Sequence, residues 1–330
     1  MNNRRKLIVA LGAGTVTASL GAFAQQQGKV WRVGYLSAAS RPASLDSGSV
    51  GAFSRGMREL GYIEGKNLEI QWRFAEGRAE MLPILAAELV KLNVDIIVTQ
   101  GTPPTRAAQQ ATKTIPIVAA SFSDPVKSGF AASLAHPGGN ITGFENLGEE
   151  LQKKRLELLI SVAPKATRIA EMINPNNTAS VRERTGFEAA AHKMGKATVL
   201  VEVRAAGELA DGFSRMTRER AGALAVSDDA LLNQLGLQIA GLALRQRLPS
   251  IFGTRQNAEA GGLMSYGADP VVRFRRAATY VDKILKGAKP GDLPIEQPTE
   301  FELVINMKTA KALGIKIPQS ILVQATKVIE

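Results

Sequence analysis

Cysteine is absent from all 330 residues. That absence excludes disulfides, thiolate metal sites, a cysteine nucleophile and a lipidated N-terminal cysteine together. Histidine occurs only as His136 and His192, so a multi-histidine metal centre is excluded as well. His136 lies beside Pro-Gly-Gly in a turn and His192 on a helix, positions that suit structural or solvated side chains. No Gly-x-Ser-x-Gly elbow and no His-Glu-x-x-His pair occurs. Gly12-Ala-Gly14 falls in a leader-like segment, and Gly61-Tyr-Ile-Glu-Gly-Lys66 has the wrong spacing for a phosphate loop and is followed by Asn67. No metal and no cofactor is expected. With no nucleophile–base pair in view, the chain does not read as an enzyme.

What is present is an ordinary balance, 45% hydrophobic and 22% charged, on a chain long enough for two lobes with separate cores. Arg4, Arg5 and Lys6 precede the short apolar run Leu7 to Leu20, and Ala22-Phe23-Ala24 is a small-x-small cleavage site. Residues 1–24 are therefore expected to be a signal peptide cut after Ala24. Gly12, Gly14, Thr15, Thr17 and Ser19 leave that run too short and polar to span ~30 Å of hydrocarbon. General secretory and twin-arginine export both fit, and a periplasmic protein without a lipid anchor is expected.

Removing Arg4, Arg5 and Lys6 from the formal net charge of +11 leaves +8. The basic residues are scattered, with clusters only at Gln152-Lys-Lys-Arg155 and Arg273-Phe-Arg-Arg276. Both are expected on solvated faces of amphipathic helices, and no nucleic-acid partner is expected for an exported chain.

Strand-like and helix-like periodicities alternate along the whole chain, which predicts parallel sheets with right-handed crossovers. Strands are expected at 30–37, 68–74, 141–144, 168–173, 198–203, 261–267 and 301–306. Helices are expected near 53–60, 78–92, 149–163, 179–194, 208–219, 275–285 and 309–313. Residues 289–298 are too proline-rich for a core element and read as a linker or crossover.

One stretch organises the rest. Asp95-Ile-Ile-Val-Thr-Gln-Gly-Thr-Pro-Pro and Thr114-Ile-Pro-Ile-Val-Ala-Ala-Ser-Phe-Ser-Asp124 read as two buried parallel strands that deliver small polar residues to one crevice. A helix starting near Pro103 or Pro104 would leave free N–H groups on Gly101 and Thr102 at its positive end, a place for a carboxylate. The alternative is a plain strand-to-helix turn. Ala223–Arg255 repeats the pattern, with Ser227-Asp-Asp-Ala230 in the place of Thr99-Gln-Gly-Thr102. Two similar lobes with facing strand ends follow. An amino acid needs donors for its carboxylate on one side and a carboxylate for its ammonium on the other. Of Asp228 and Asp229, one is expected to serve the ligand and one to cap the following helix. Asp124 has the same ambiguity and reads as a cap.

The stretches Gly-Met-Arg-Glu-Leu-Gly-Tyr-Ile-Glu-Gly (56–65), Ala-Glu-Gly-Arg (75–78), Leu-Ala-Ala-Glu-Leu-Val (85–90), Pro-Gly-Gly-Asn-Ile-Thr-Gly (137–143), Gly-Gly-Leu-Met-Ser-Tyr-Gly (261–267) and Arg-Arg-Ala-Ala-Thr-Tyr-Val-Asp-Lys-Ile-Leu-Lys-Gly (275–287) strongly resemble the ABC-transporter substrate-binding family whose characterised members bind tryptophan or tyrosine. The resemblance implies an α/β type I periplasmic-binding-protein fold of two Rossmann-like lobes joined by hinge crossovers. It divides the chain into 29–146 plus about 268–298, and 147–267 plus about 299–330. It implies a ligand held among Ser37, Gly101, Thr102, Ser121, Asp124, Glu145, Asn146, Asn174, Asp228 and Tyr266. One departure is local: Asp228-Asp-Ala-Leu-Leu stands where relatives carry a proline-and-aromatic loop, which leaves aromatic specificity open. The expected partners are a small amino acid-like or carboxylated ligand and an inner-membrane ABC permease, served by a monomer. A ligand-sensing subunit for a membrane kinase or chemoreceptor is the alternative use of such a fold.

Overall fold

Short apolar strands followed by amphipathic helices build two sheets, seen in a computed structural model that describes residues 29–330. The expected signal peptide and its cleavage site lie outside those residues. The first sheet comes from β1 (Trp31–Ser37), β2 (Leu68–Phe74), β3 (Ile96–Gln100), β4 (Ile117–Phe122) and β5 (Ile141–Glu145), with α1 (Gly48–Glu59), α2 (Leu82–Lys91) and α3 (Thr102–Ala111) between them. Its order is β2-β1-β3-β4-β5, and every pair is parallel. Strands covered on both faces need apolar residues on both, and Val33 to Ser37 of β1 are accordingly all buried.

After α4 (Gly148–Val162) come β6 (Arg168–Ile173), α5 (Thr178–Lys193), β7 (Ala197–Glu202), α6 (Leu209–Arg218), β8 (Ala223–Val226), α7 (Ala230–Gln234), α8 (Gly236–Arg245), β9 (Ser250–Phe252), α9 (Arg255–Glu259) and β10 (Met264–Gly267). The chain then makes α10 (Pro270–Leu285), β11 (Glu302–Asn306), α11 (Met307–Leu313), α12 (Gln319–Leu322) and β12 (Lys327–Ile329). The second sheet runs β12-β11-β10-β9-β8-β6-β7. The two compared stretches form β3-α3-β4 and β8-α7-α8-β9, and both strand pairs are parallel neighbours.

Helix α10 packs against the first sheet. Phe274, Ala277, Tyr280 and Val281 join Tyr35, Phe53, Met57 and Val118 in one core. A second core under α2 and α3 gathers Leu36, Leu89, Ile97 and Phe122 on the opposite face. The second sheet is covered likewise, by α4 and α5 over Ile169 and Ile251 and by α6 and α8 over Met172 and Val201.

Several expectations are corrected. Strand β11 runs antiparallel to β10, with Gly267 opposite Glu302. The cause is the proline-rich stretch, which lies along β5 through Glu145 N–H to Glu296 O (2.9 Å) and Glu296 N–H to Gly143 O (3.0 Å). It therefore reaches the second sheet at the end where the parallel strands finish, and can only enter it reversed. Helix α10 starts five residues early, at Pro270, because Asp269 caps it by accepting from Val271 N–H at 2.8 Å. Helix α1 likewise begins at Gly48 rather than Phe53, while α12 and β12 have no counterpart in the sequence reading.

The two basic clusters are not uniformly solvated. Gln152 and Arg155 are 1% exposed and Arg273 is 9% exposed, whereas Arg275 and Arg276 lie in solvent. Helical spacing puts Arg155 on the same stripe as Leu151, Leu158 and Leu159 and puts Arg273 beside Phe274 and Ala277.

Glu171 is buried in mid-strand on β6, with Gln152 Nε2 at 3.4 Å from its Oε1. Burial pushes its carboxyl up to about 8 from the ordinary 4.5. Between those values the folded state holds a proton that the unfolded chain has released, so stability is fully present below about 4.5 and is lost as pH rises towards 8. Glu171→Gln, a neutral mimic of the protonated acid, is expected to melt with the wild type in acid and about 5 °C above it in mild alkali. A series of thermal melts across that window checks this, and parallel curves would contradict it.

Candidate ligand cleft

Parallel strands finish on one edge of their sheet, and here the two finishing edges face each other. Between them is a cleft of about 280 Å³. Gln100, Gly101, Thr102, Ser121, Ser123 and Asn146 line it from the first sheet, and Asn174, Asn177, Asp228, Leu231 and Asn233 from the second. Arg273 and Phe274 of α10 complete the wall. Direct bonds cross between the two sides, from Ser40 N–H to Gln234 Oε1 (3.0 Å) and from Arg182 Nη2 to Ser128 Oγ (2.8 Å).

On the first side, Gly101 has φ 101°, a conformation that favours glycine, and it turns the chain from β3 directly into α3. Its N–H is not free, as the sequence reading expected, because it donates to Ser121 O at 2.9 Å. Pro103 and Pro104 have no N–H, so Thr102 carries the backbone N–H of that helix start that finds no acceptor among the described residues. The Thr102 hydroxyl oxygen accepts from Ser123 N–H at 3.0 Å, and Thr105 Oγ1 donates to Gly101 O at 2.8 Å. The turn is thereby rigid. The cation of this wall is Arg273, whose buried Nε has no hydrogen-bond partner.

On the second side, the neighbouring aspartates have different tasks. Asp229 is buried and caps α7, its Oδ1 accepting from Leu231 N–H (2.9 Å) and Leu232 N–H (3.3 Å). Asn174 Nδ2 and Asn177 Nδ2 also donate to it, at 3.2 and 3.0 Å. Burial pushes the Asp229 carboxyl up, and those four donors oppose the shift. Asp228 is half-buried and points one oxygen, Oδ1, at Asn233 Nδ2 (2.7 Å), which Asn257 Nδ2 steadies through Asn233 Oδ1 (3.1 Å). A Cβ added to Gly253 would lie 2.9 Å from Asp228 Cβ, so the absent side chain makes room for the aspartate. Asp228 Oδ2 receives no donor from the described residues.

Gly101, Thr102, Ser121, Asn146, Asn174 and Asp228 all line this cleft. Ser37 is buried behind it, where its hydroxyl and that of Tyr35 both donate to Gln100 Oε1, at 3.0 and 3.1 Å. Asp124 and Glu145 line a separate cavity of about 510 Å³ that shares Ser123 with the cleft. There Asp124 caps a turn through Lys127 N–H (3.1 Å), and Glu145 accepts from Gln297 Nε2 (2.8 Å) while burial pushes its carboxyl up. Tyr266 lies in neither space. Its carbonyl accepts from Arg155 Nε (3.0 Å), and its ring stacks on Phe301 at 6.0 Å, beside Lys154 and Gln324. Ser265 and Tyr266 project to opposite faces of β10, so burying one turns the other outward.

Ser123, Asn177 and Asn233 line the cleft without having been singled out in the sequence, and Arg273 lines it although its cluster reads as solvated. The polar run Asn174-Pro-Asn-Asn177 at a strand end was the available signal for Asn177. Arg273 had none beyond its helical phase. Among the described residues no group of three His, Cys, Asp or Glu could hold a metal, and no helix is long and apolar enough to cross a membrane.

Two sheet-and-helix lobes whose strand ends enclose one polar cleft define a two-lobed solute receptor. The family model described as ABC transporter substrate binding protein matches residues 38–329, and the chain belongs to that family. It is 27% identical over 273 residues to the tyrosine-binding protein of Clostridioides difficile (strain R20291), covering 83% of this chain and 78% of that relative. An ABC domain in complex with L-Trp from Streptococcus pneumonia is 27% identical, covers 91% of this chain and 100% of that one, and superposes with a TM-score of 0.82. The ligand-free, open structure of a substrate-binding protein with adhesive properties from Clostridium difficile is 26% identical, covers 91% of this chain and 99% of that one, and gives 0.61. The fold is thus the two-lobed α/β fold of periplasmic binding proteins.

Proposed function

We propose that this protein is the periplasmic receptor of an ABC importer, a monomer that captures a small amino acid or related carboxylated ligand between its lobes and delivers it to an inner-membrane permease. The observation that carries this reading is Asp228 Oδ2, a carboxylate oxygen without a donor among the described residues, which lines the cleft together with Thr102. A ligand with an ammonium at one end and a carboxylate at the other bridges the two sides and favours closure. The leader-like first 24 residues support export, and the tyrosine-binding and L-Trp-bound relatives support an amino acid ligand.

The lobes that move are 29–146 with about 268–298, and 147–267 with about 299–330. Leu147, at φ 51° in the left-handed region that a bulky residue rarely adopts, supports a crossover at that point. Similar identity but unequal TM-scores, 0.82 to the L-Trp complex and 0.61 to the open ligand-free protein, support a closed arrangement here. Mass spectrometry of the denatured protein purified from its own periplasm is expected to release an amino acid, and that compound is expected to raise the melting temperature when added back. A panel of free amino acids and carboxylates that produced no melting shift would overturn the reading.

A further inference from the structure

Three arginines stand close together on α10, and their surroundings differ. Arg275 pairs with Glu59 at 2.8 Å, and Arg276 pairs with Glu296. Arg273 has no ion pair and no hydrogen bond among the described residues, although it is only 9% exposed and its Nε is sealed from solvent without a partner. A guanidinium buried without hydrogen-bonded acceptors is strongly unfavourable, so its side chain has room for an anion in direct contact, which no acid among the described residues provides. It lines the cleft.

Two acids act on it electrostatically, and neither pairs with it. Asp269 Oδ1 accepts from Val271 N–H at 2.8 Å as the cap of α10. Asp228 turns Oδ1 to Asn233 and does not meet Arg273 in an ion pair. A cation on the helix that packs with the first sheet therefore faces, without touching, an anion at the end of a strand in the second. The turn at Gly101 offers an anion the Thr102 N–H and hydroxyl proton, both neutral donors that bring no charge to balance a carboxylate.

We infer that Arg273 grips the ligand's free α-carboxylate in a bidentate pair while Asp228 takes its α-ammonium, so that the receptor selects intact zwitterionic amino acids and rejects their amides, esters and decarboxylated amines. The inference rests on the amino acid reading above and assigns its carboxylate end. A guanidinium presents two parallel donors to one carboxylate, a geometry that neither a lysine nor a single backbone N–H reproduces. Because the two charges sit on opposite sides, only a ligand bearing both groups neutralises both walls on closure.

The test compares, on the wild-type protein, the free L-amino acid that raises the melting temperature most with its α-amide, its methyl ester and the corresponding amine, by isothermal titration. The amide and ester are expected to bind about 30-fold more weakly or worse than the acid. Arg273→Met is expected to weaken the free acid by a similar factor and to bring acid and amide within about three-fold of each other. Arg273→Lys is expected to retain part of the discrimination. If Arg273→Met does not fold, the analogue series on the wild type and on Arg273→Lys decides. Equal binding of acid, amide and ester by the wild type, or a discrimination untouched in Arg273→Met, would overturn the assignment while leaving the receptor reading in place. Failure of the wild type to bind any free amino acid would sink the receptor reading and this inference with it.

Discussion

Asp228→Ala is expected to weaken amino acid binding by about 100-fold or more while leaving the melting temperature of the ligand-free protein within a few degrees of the wild type. Truncating one member of a buried, hydrogen-bonded charge pair costs about 2–5 kcal/mol, much of it from the charge left without its partner. The ligand ammonium would be that stranded charge. Folding is spared because the Asp228 carboxylate accepts a single hydrogen bond among the described residues, from Asn233, and is only half-buried. Asp228→Asn keeps an acceptor for Asn233 and removes the charge, so a loss of the same order in that variant identifies charge rather than shape as the cause. Titration of both variants with the amino acid that the wild type prefers checks this. Unchanged affinity in either would remove Asp228 from the site.

The adjacent residue is expected to fail in the opposite manner. Asp229→Ala should lower the melting temperature by about 10 °C, in the ligand-free protein as much as in the liganded one. Asp229 is 6% exposed and accepts from Leu231 N–H, Leu232 N–H, Asn174 Nδ2 and Asn177 Nδ2. Losing a helix cap costs about 1 kcal/mol, and each buried donor left unsatisfied costs about 1–3 kcal/mol more. Relaxation of Asn174 and Asn177 would recover part of that. Thermal melts and urea titrations read the effect, and an unaltered midpoint would show that those donors find other acceptors. The two consecutive aspartates thus separate experimentally, the proposed ligand contact at Asp228 being read in affinity and the helix cap at Asp229 in stability.

Much of the architecture was legible because it rests on local periodicity. The strand at 68–74 follows from spacing 2 and the helix near 78–92 from leucines at helical spacing, of which Leu82 and Leu89 are buried, and the internal match of 95–124 with 223–255 pairs two stretches that both line the cleft. The reversed β11 was not legible, because its direction depends on where residues 289–298 travel in space, and no local pattern encodes that path. Gly101 and Thr102 stand at the turn from β3 into α3 and line the cleft. Their hydrogen bonding was not legible, since the acceptor of the Gly101 N–H is Ser121, twenty positions along the chain on the neighbouring strand. Arg273 was read as one of a solvated cluster with Arg275 and Arg276. Composition treats the three alike, and only the packing of α10 beside Phe53 and Met57 separates them. Tyr266 illustrates the converse: a residue carried over from a family pattern points away from the cleft because Ser265 occupies the buried side of β10.

Isothermal titration of the wild-type protein with a panel of free L-amino acids tests the central claim most directly. The expected result is saturable heat for at least one of them, at one ligand per chain, with affinity lower by about 100-fold or more in Asp228→Ala and by about 30-fold or more for the α-amide of the same compound. Absence of heat with every amino acid, or binding that Asp228→Ala leaves intact, would contradict it.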